Sequence, residues 1–206
     1  ISINPQTVND EVLKTIGRKH TAQQFFDVFE LARKCGFDNI NTDLIAGLPT
    51  DTPESFKNSL DSIVRLNAEC ITVHTLCMKR ASRLTTEGVT LDLQQARDAR
   101  EMLAYTQNIL GQNEYIPYYM YRQSRMVGNL ENVGWSKRGF ESLYNVYVMD
   151  ETHTILACGS GGVTKLKRNN PDYLERIFNF KYPYEYIDRF DELIQRKSGI
   201  MQFYGQ

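Results

Sequence analysis

The sequence predicts an α/β fold: part of a parallel (β/α) barrel of the TIM type, followed by a smaller α+β region. Three observations carry that prediction. The run 38–46 alternates with period two, so Asn39, Asn41, Asp43 and Ile45 point one way and Ile40, Thr42, Leu44 and Ala46 the other. A second strand-like run, 70–77, follows a helical run at 53–66, and a further helical run at 21–35 precedes the first strand. The connections are short, and strands alternating with helices over short links fold as parallel βαβ units. The pattern changes after residue 78, where a polar stretch at 79–90 containing Gly88 divides the chain into regions 1–80 and 81–206.

Residues 1–4 read as the end of a strand and 5–7 as a turn. The run 9–17 predicts a short helix with Asn9 or Asp10 near its cap and Gly17 at its end. Helix 21–35 is the clearest. Thr21 can cap it, Phe25, Phe29 and Ala32 recur at i, i+4 and i+7, and Gly36 marks the stop. After strand 38–46, Gly47, Pro49 and Pro53 break the run. Thr52 then caps helix 53–66, with Pro53 at its first position and Phe56, Leu60, Ile63 and Val64 on one face. In strand 70–77, Ile71, Val73, Thr75 and Cys77 share a side, and His74, on the other, reads as a histidine packed against a helix.

Further on, 91–110 predicts a long amphipathic helix with Leu93, Ala96, Leu103 and Leu110 as its face. Residues 113–122 predict a tyrosine-rich strand, and 128–139 a glycine and asparagine loop carrying Trp135. Short strands are expected at 143–149 and 154–157. The run 159–165 (GSGGVTK) lacks the spacing of a phosphate-binding loop and reads as a tight turn. Helices are expected at 171–179 and 183–197.

The chain has 206 residues, 41% apolar and 24% charged, with a formal net charge of -1. That balance provides no global field to draw in nucleic acid or an anionic membrane. No apolar run approaches the ~18–20 residues of a membrane span. The four cysteines, Cys35, Cys70, Cys77 and Cys158, include no pair at metal-site spacing and read as reduced, mostly buried thiols of a cytoplasmic protein. Asp43 stands near the C-terminal end of its strand, just before a glycine loop, where parallel α/β folds place their ligands. A bond to a neighbouring strand or to the turn at 50–53 is its alternative use. The run 118–125 (YYMYRQSR) mixes aromatics with Arg122 and Arg125. It suits stacking on nucleic acid, contact with the propionates of a flat macrocycle, or a barrel-closing strand with an exposed arginine face.

Three strings together resemble the radical S-adenosylmethionine enzymes of the oxygen-independent coproporphyrinogen III dehydrogenase (oxidase) family: INPQT with DEVLKTIGRKH, NINTDLIAGLPTDTPESF, and ITVHTLCM. The resemblance is strongest over residues 1–80. It implies that Gln6, Arg18 and Asp43 occupy positions that bind S-adenosylmethionine. A forked guanidinium at Arg18 suits the ligand's carboxylate, and a carboxylate at Asp43 suits two ribose hydroxyls. Ile45 would wall the adenine, and Cys77 falls on the family's small-residue position near it. Arg122 and Arg125 would meet the substrate, although the family's usual His-Asn pair before a Tyr-Trp is replaced here by Gly128-Asn129-Leu130 and Gly134-Trp135.

The family's 4Fe–4S cluster is held by three cysteines in a tight CxxxCxxC-like motif, and the sequence contains no such motif. The resemblance puts that motif upstream, so the chain is expected to begin after the cluster-binding strand and to be inactive alone. For the longer parent the resemblance implies oxidative decarboxylation of two propionates of coproporphyrinogen III to vinyl groups, giving protoporphyrinogen IX in haem biosynthesis. A haem-binding or haem-chaperone member of the same family is the alternative. The implied partner is a tetrapyrrole, with neither nucleic acid nor membrane. An open edge on a partial barrel can also pair with a copy of itself.

Overall fold

The computed structural model describes residues 1–77, 93–122, 126–169 and 172–205. It forms two compact units, Ile1–Glu141 and Ser142–Gln206. The boundary expected at 79–90 falls outside the described residues.

The first unit is built on a four-stranded sheet in the order β1-β2-β4-β3. Its strands are β1 (Asn41–Ala46), β2 (Cys70–Thr75), β3 (Ile116–Tyr121) and β4 (Asn132–Ser136). β1 and β2 are parallel; β4 runs antiparallel to both β2 and β3. The N-terminal residues run parallel along the free edge of β1. There Ile3 donates its N–H to Asn41 at 2.9 Å, Gln6 donates to Asp43 at 3.0 Å, and Ile45 donates to Gln6 at 2.9 Å. This edge is a pair of bridges rather than a regular strand, because Pro5 has no N–H and Gln6 sits at φ +71°.

The expected alternation of β1 holds. Thr42, Leu44 and Ala46 are buried, whereas Asn41, Asp43 and Ile45 keep partial exposure. The buried set meets α2 (Ala22–Lys34), α3 (Pro53–Arg65) and α4 (Leu93–Gln112), whose Phe25, Phe29, Phe56, Leu60, Ile63 and Met102 share one core with Ile71 and Val73. A smaller helix, α1 (Asp10–Thr15), is capped by the Asn9 side chain. Thr21 and Gln24 form a reciprocal capping box on α2, and Thr52 caps α3 with Pro53 following. The inward face of α4 differs from the expected one: Ala99, Met102, Thr106 and Leu110 are buried, while Leu93 is 79% exposed. At the N-terminal ends of β1 and β2, buried Glu69 accepts from Arg33 at 2.8 Å and from the Ile40 N–H at 2.9 Å, tying α2 to both strands.

Several sequence expectations are corrected. Residues 132–136 are not loop but β4, a strand paired on both sides. In the second unit, 143–149 is not a strand but α5 (Leu143–Asp150), since a short apolar run carries no decisive period. Only Ile155 within 154–157 pairs, in a single bridge to Lys165. Residues 171–179 are not helical: β6 (Asp172–Phe178) pairs antiparallel with β5 (Val163–Asn169) along its whole length. The aromatics there fit either period, and the pairing with β5 decides. Between 183 and 197 the chain breaks at Arg189 into α6 (Pro183–Asp188) and α7 (Phe190–Lys197), followed by α8 (Gly199–Tyr204). The tight turn at 159–162 is present, with Gly159 at φ +88° and Gly161 at φ +71°. Of the cysteines, Cys70 is buried, Cys77 intermediate, and Cys35 and Cys158 exposed, so the expectation of mostly buried thiols fails for two of them.

Candidate functional site: the polar face of the sheet

One face of the four-stranded sheet is covered by helices; the other carries the polar side chains. Register places Asp43 beside Thr72 and Ile45 beside His74 on the parallel pair. β4 places Gly134 beside Thr72 and Tyr119, and Asn132 beside Tyr121. Because side chains alternate along each strand, Asn41, Asp43, Thr72, His74, Asn132, Tyr119 and Tyr121 all lie on that second face.

They are joined. Asn41 Nδ2 donates to Asp43 Oδ1 at 2.7 Å, and the Thr72 hydroxyl donates to Asn41 Oδ1 at 3.2 Å. The Thr72 and Tyr119 hydroxyls are 3.1 Å apart. On the other side of the carboxylate, His74 Nε2 lies 3.5 Å from Asp43 Oδ2, and the Tyr121 hydroxyl lies 3.4 Å from His74 Nδ1. Asn132 Oδ1 accepts the Thr75 N–H at 2.8 Å, and the Asn132 side chain also bonds Tyr121. The Tyr119 and Tyr121 rings are nearly parallel, 12° apart with centroids at 6.3 Å. Burial raises both phenols above the ordinary tyrosine value, against the opposing effect of their bonds to Thr72 and Asn132. Both therefore stay protonated, and serve as donors, at neutral pH.

Of the residues singled out from sequence, Gln6 and Asp43 are brought together through the backbone bond between their strands. Gln6 is 8% exposed and holds a left-handed conformation. Ile45 is half-buried on the face of Asp43 and packs against the cluster of Val12, Leu48, Leu76, Ala99 and Val127 at the C-terminal mouth of the strands. Cys77 lies just past β2, bridged to Met126. Arg18 is exposed on the turn after α1, and among the described residues no hydrogen bond or ion pair joins it to Asp43 or Gln6. Arg122 is exposed and paired with Glu131 at 2.5 Å; Arg125 lies outside the described residues. His20 meets the Pro5 carbonyl at 3.3 Å, and His153 the Thr152 hydroxyl at 2.9 Å, both away from Asp43.

His74 is the main correction. It is not packed against a helix but faces Asp43. Sequence reasoning passed over Asn41, Thr72, Tyr119, Tyr121 and Asn132 as site residues. The alternation of Cys70, Thr72 and His74 against Ile71, Val73 and Thr75 was the available signal for the β2 members.

The carboxylate of Asp43 keeps 19% side-chain exposure, and each oxygen has one protein contact. Each oxygen therefore retains acceptor capacity for a further hydroxyl. On the helix-covered side of the sheet edge, a cleft of about 500 Å³ runs beside β3, lined by Gln107, Pro117, Tyr118, Met120, Val133 and Trp135 among others. Another, of about 440 Å³, lies between the N-terminal segment and α2 and shares no residue with the polar network. Among the described residues, no group of three or more His, Cys, Asp or Glu could hold a metal ion. No helix among them is long and apolar enough to cross a membrane.

The family model that matches is that of the Radical SAM superfamily, over residues 1–63. The chain is 39% identical over 202 residues to the oxygen-independent coproporphyrinogen-III oxidase-like protein HemZ of Bacillus subtilis, covering 98% of this chain and 40% of that protein. It is 32% identical to the heme chaperone HemW of Lactococcus lactis, covering 82% of this chain and 43% of the relative. The solved structure of coproporphyrinogen III oxidase (HemN) from Escherichia coli, described as a radical SAM enzyme, matches with a TM-score of 0.66 at 20% identity, over 93% of this chain and 43% of that one. That likeness bears on the fold, a part of the same α/β architecture with parallel strands.

The parallel strand β1, with Asp43 on its open face, lies within the segment 1–63 that matches the Radical SAM superfamily model. Over 98% of its length the chain is similar to a coproporphyrinogen-III oxidase-like protein. It spans 40% and 43% of the length of the two curated relatives described.

Proposed function

We propose that this chain supplies the nucleoside-binding part of a cytoplasmic radical S-adenosylmethionine oxidoreductase that decarboxylates two propionates of coproporphyrinogen III to vinyl groups, giving protoporphyrinogen IX. The observation that carries the reading is Asp43: a partly exposed carboxylate on the uncovered sheet face, each oxygen with one protein contact and capacity for a hydroxyl. The residues present fit S-adenosylmethionine. Asp43 would take the two sugar hydroxyls, Ile45 would face the base with Cys77 nearby, and Gln6, fixed beside Asp43 by two backbone bonds, would meet the sugar or the amino acid end. Arg18 would serve the ligand's carboxylate as a solvent-facing cation. When bound, the sulfonium nucleoside supplies, on reductive cleavage, the carbon-centred oxidant that removes hydrogen from a propionate β-carbon.

The described residues do not fit an iron–sulfur cluster, since no group of suitable ligands is assembled among them. The chain's own work is to bind, orient and shield the nucleoside. For Arg122 to meet a propionate it would have to leave Glu131.

In the full-length protein, reconstituted anaerobically with reductant, Asp43→Ala should abolish 5′-deoxyadenosine formation and weaken S-adenosylmethionine binding at least ~30-fold, as expected for loss of a charged partner of two hydroxyls. An unchanged rate and affinity would overturn the sugar-binding role. A second reading is favoured by the 32% identity to a heme chaperone. Tight stoichiometric haem binding by the full-length protein, without turnover of coproporphyrinogen to a fluorescent protoporphyrin, would select it over the decarboxylase.

A further inference from the structure

The hydrogen bonds around Asp43 have a direction, set by groups that can only donate or only accept. On the His74 side, the Thr75 N–H can only donate, so Asn132 Oδ1 is the acceptor and the Asn132 amide nitrogen is left to donate. That nitrogen is the donor available to the Tyr121 oxygen. Tyr121 then directs its own O–H to His74 Nδ1, 3.4 Å away, and imidazole accepting at Nδ1 carries its proton on Nε2. The atom it presents to Asp43 Oδ2, at 3.5 Å, is a donor. The other side obeys the same logic. The Asp43 carboxylate can only accept, so Asn41 turns Nδ2 to Asp43 Oδ1 at 2.7 Å and leaves its Oδ1 to accept from Thr72. Two arms, drawn between them from all four strands, end as N–H donors on the two oxygens of one carboxylate.

The arms are unequal. The Asn41 bond is short, whereas the His74 contact is at the outer limit of a hydrogen bond. The His74 side is where the carboxylate retains freedom, and where the imidazole decides how far it can turn. We propose that His74 is a positioning residue. Held at Nδ1 by Tyr121, it uses its Nε2–H to fix the Asp43 carboxylate in the orientation that accepts the paired hydroxyls of the nucleoside sugar. The assignment rests on the sugar-binding role of Asp43 proposed above. It also explains why a histidine, and not an apolar residue, stands at the C-terminal end of a β2 face within reach of Asp43 and Tyr121, both hydrogen-bonding groups.

The test is equilibrium binding of S-adenosylmethionine to the full-length protein by calorimetry, without reductant, on five proteins: wild type, Asp43→Asn, His74→Phe, His74→Gln and the Asp43→Asn/His74→Phe double variant. His74→Phe should weaken binding about 5- to 10-fold, and His74→Gln, which restores a donor, should return it to within about 2-fold of wild type, magnitudes ordinary for one hydrogen bond to a charged group. In the Asp43→Asn background, His74→Phe should change affinity less than about 2-fold, because a residue acting only through Asp43 loses its effect once the carboxylate is gone. In turnover, His74→Phe should raise the KM for S-adenosylmethionine and leave kcat nearly unchanged. Equal losses in both backgrounds would mean a merely structural histidine and overturn the proposal. Wild-type affinity in His74→Phe together with weak binding by Asp43→Asn would overturn it and leave the reading of Asp43 standing. Wild-type affinity in Asp43→Asn would overturn that reading itself. Should His74→Phe fail to fold, Tyr121→Phe, which removes one hydroxyl, decides: about 2- to 4-fold weaker binding supports the arm, and no change refutes it.

Discussion

Gly134 shapes the polar face by having no side chain. A Cβ there would lie 1.9 Å from Cε1 and 2.4 Å from Cδ1 of Tyr119, so the phenol ring occupies the space a side chain would fill. Only with the ring in that place does the Tyr119 hydroxyl reach Thr72. The requirement comes from close approach rather than from a left-handed backbone. Replacing a strand glycine with alanine ordinarily gains ~0.5–1 kcal/mol in backbone entropy. Here the clash is with a half-buried ring held by Thr72, and overpacking costs about 1–3 kcal/mol, so the net sign is destabilising. Gly134→Ala should lower the urea midpoint with an unchanged m-value. In a Tyr119→Ser background the same substitution should cost less than about 0.5 kcal/mol, because the two changes share one contact. Equal costs in both backgrounds would show that the ring is not what the glycine accommodates.

At the scale of elements, what could be read from the sequence was what repeats locally. β1 announces itself by strict alternation, and the glycine and proline residues after it mark its end. α2 is equally legible, because cap, apolar stripe and stop signal agree; the structure adds the reciprocal bonds, with Gln24 N–H to Thr21 Oγ1 at 3.2 Å and Thr21 N–H to Gln24 Oε1 at 2.9 Å. Thr21→Ala removes one of these partners from an exposed cap and should cost about 1 kcal/mol, read as a lower denaturation midpoint. A loss below ~0.3 kcal/mol would mean that solvent replaces the cap. β4 was not legible, for a reason that Gly134 makes plain: the residues that break a strand in isolation are those its partners demand. NVGWS reads as loop until Tyr119 is known to lie over the glycine and Asn132 to bond the backbone of Thr75. β6 was hidden in a different way. Tyr173, Leu174, Ile177 and Phe178 satisfy a helical spacing as well as an extended one, and full-length pairing with β5 overrides the local preference. The same limit applies to the site. Asp43 could be read from a matched string, but the approach of His74 and Tyr121 depends on the order β1-β2-β4-β3, which joins residues 47 positions apart.

At the scale of the whole chain, two units with separate cores are held by different means. The unit Ile1–Glu141 buries a large apolar cluster between sheet and helices. The unit Ser142–Gln206 has fewer buried apolar residues, among them Leu166, Phe180, Leu193 and Phe203, and depends more on polar ties. Glu151 is the centre of one such set, with Lys165 Nζ and Arg176 Nη2 each 2.7 Å from the same carboxylate oxygen. The bond from Lys165, helped by that from Arg176, holds the Glu151 carboxyl below the usual glutamate range, against a smaller opposing effect of burial. A carboxyl depressed in the folded state stabilises fully above its unfolded value and loses that contribution as pH falls through its folded value. The second unit should therefore weaken in the acid range below ordinary glutamate titration, and be insensitive to Glu151 protonation at neutral pH. Lysine and arginine stay charged throughout this range, so the change belongs to the carboxylate. In thermal melts of the chain from about pH 7 to about pH 3, wild type should lose more stability than Glu151→Gln, which has no charge left to titrate. Because the cluster is largely exposed, the gap should also shrink at about 1 M salt, where the screening length is about 3 Å. Parallel pH profiles for the two proteins at low salt would mean that the ion cluster, although well formed, is not what holds this unit together.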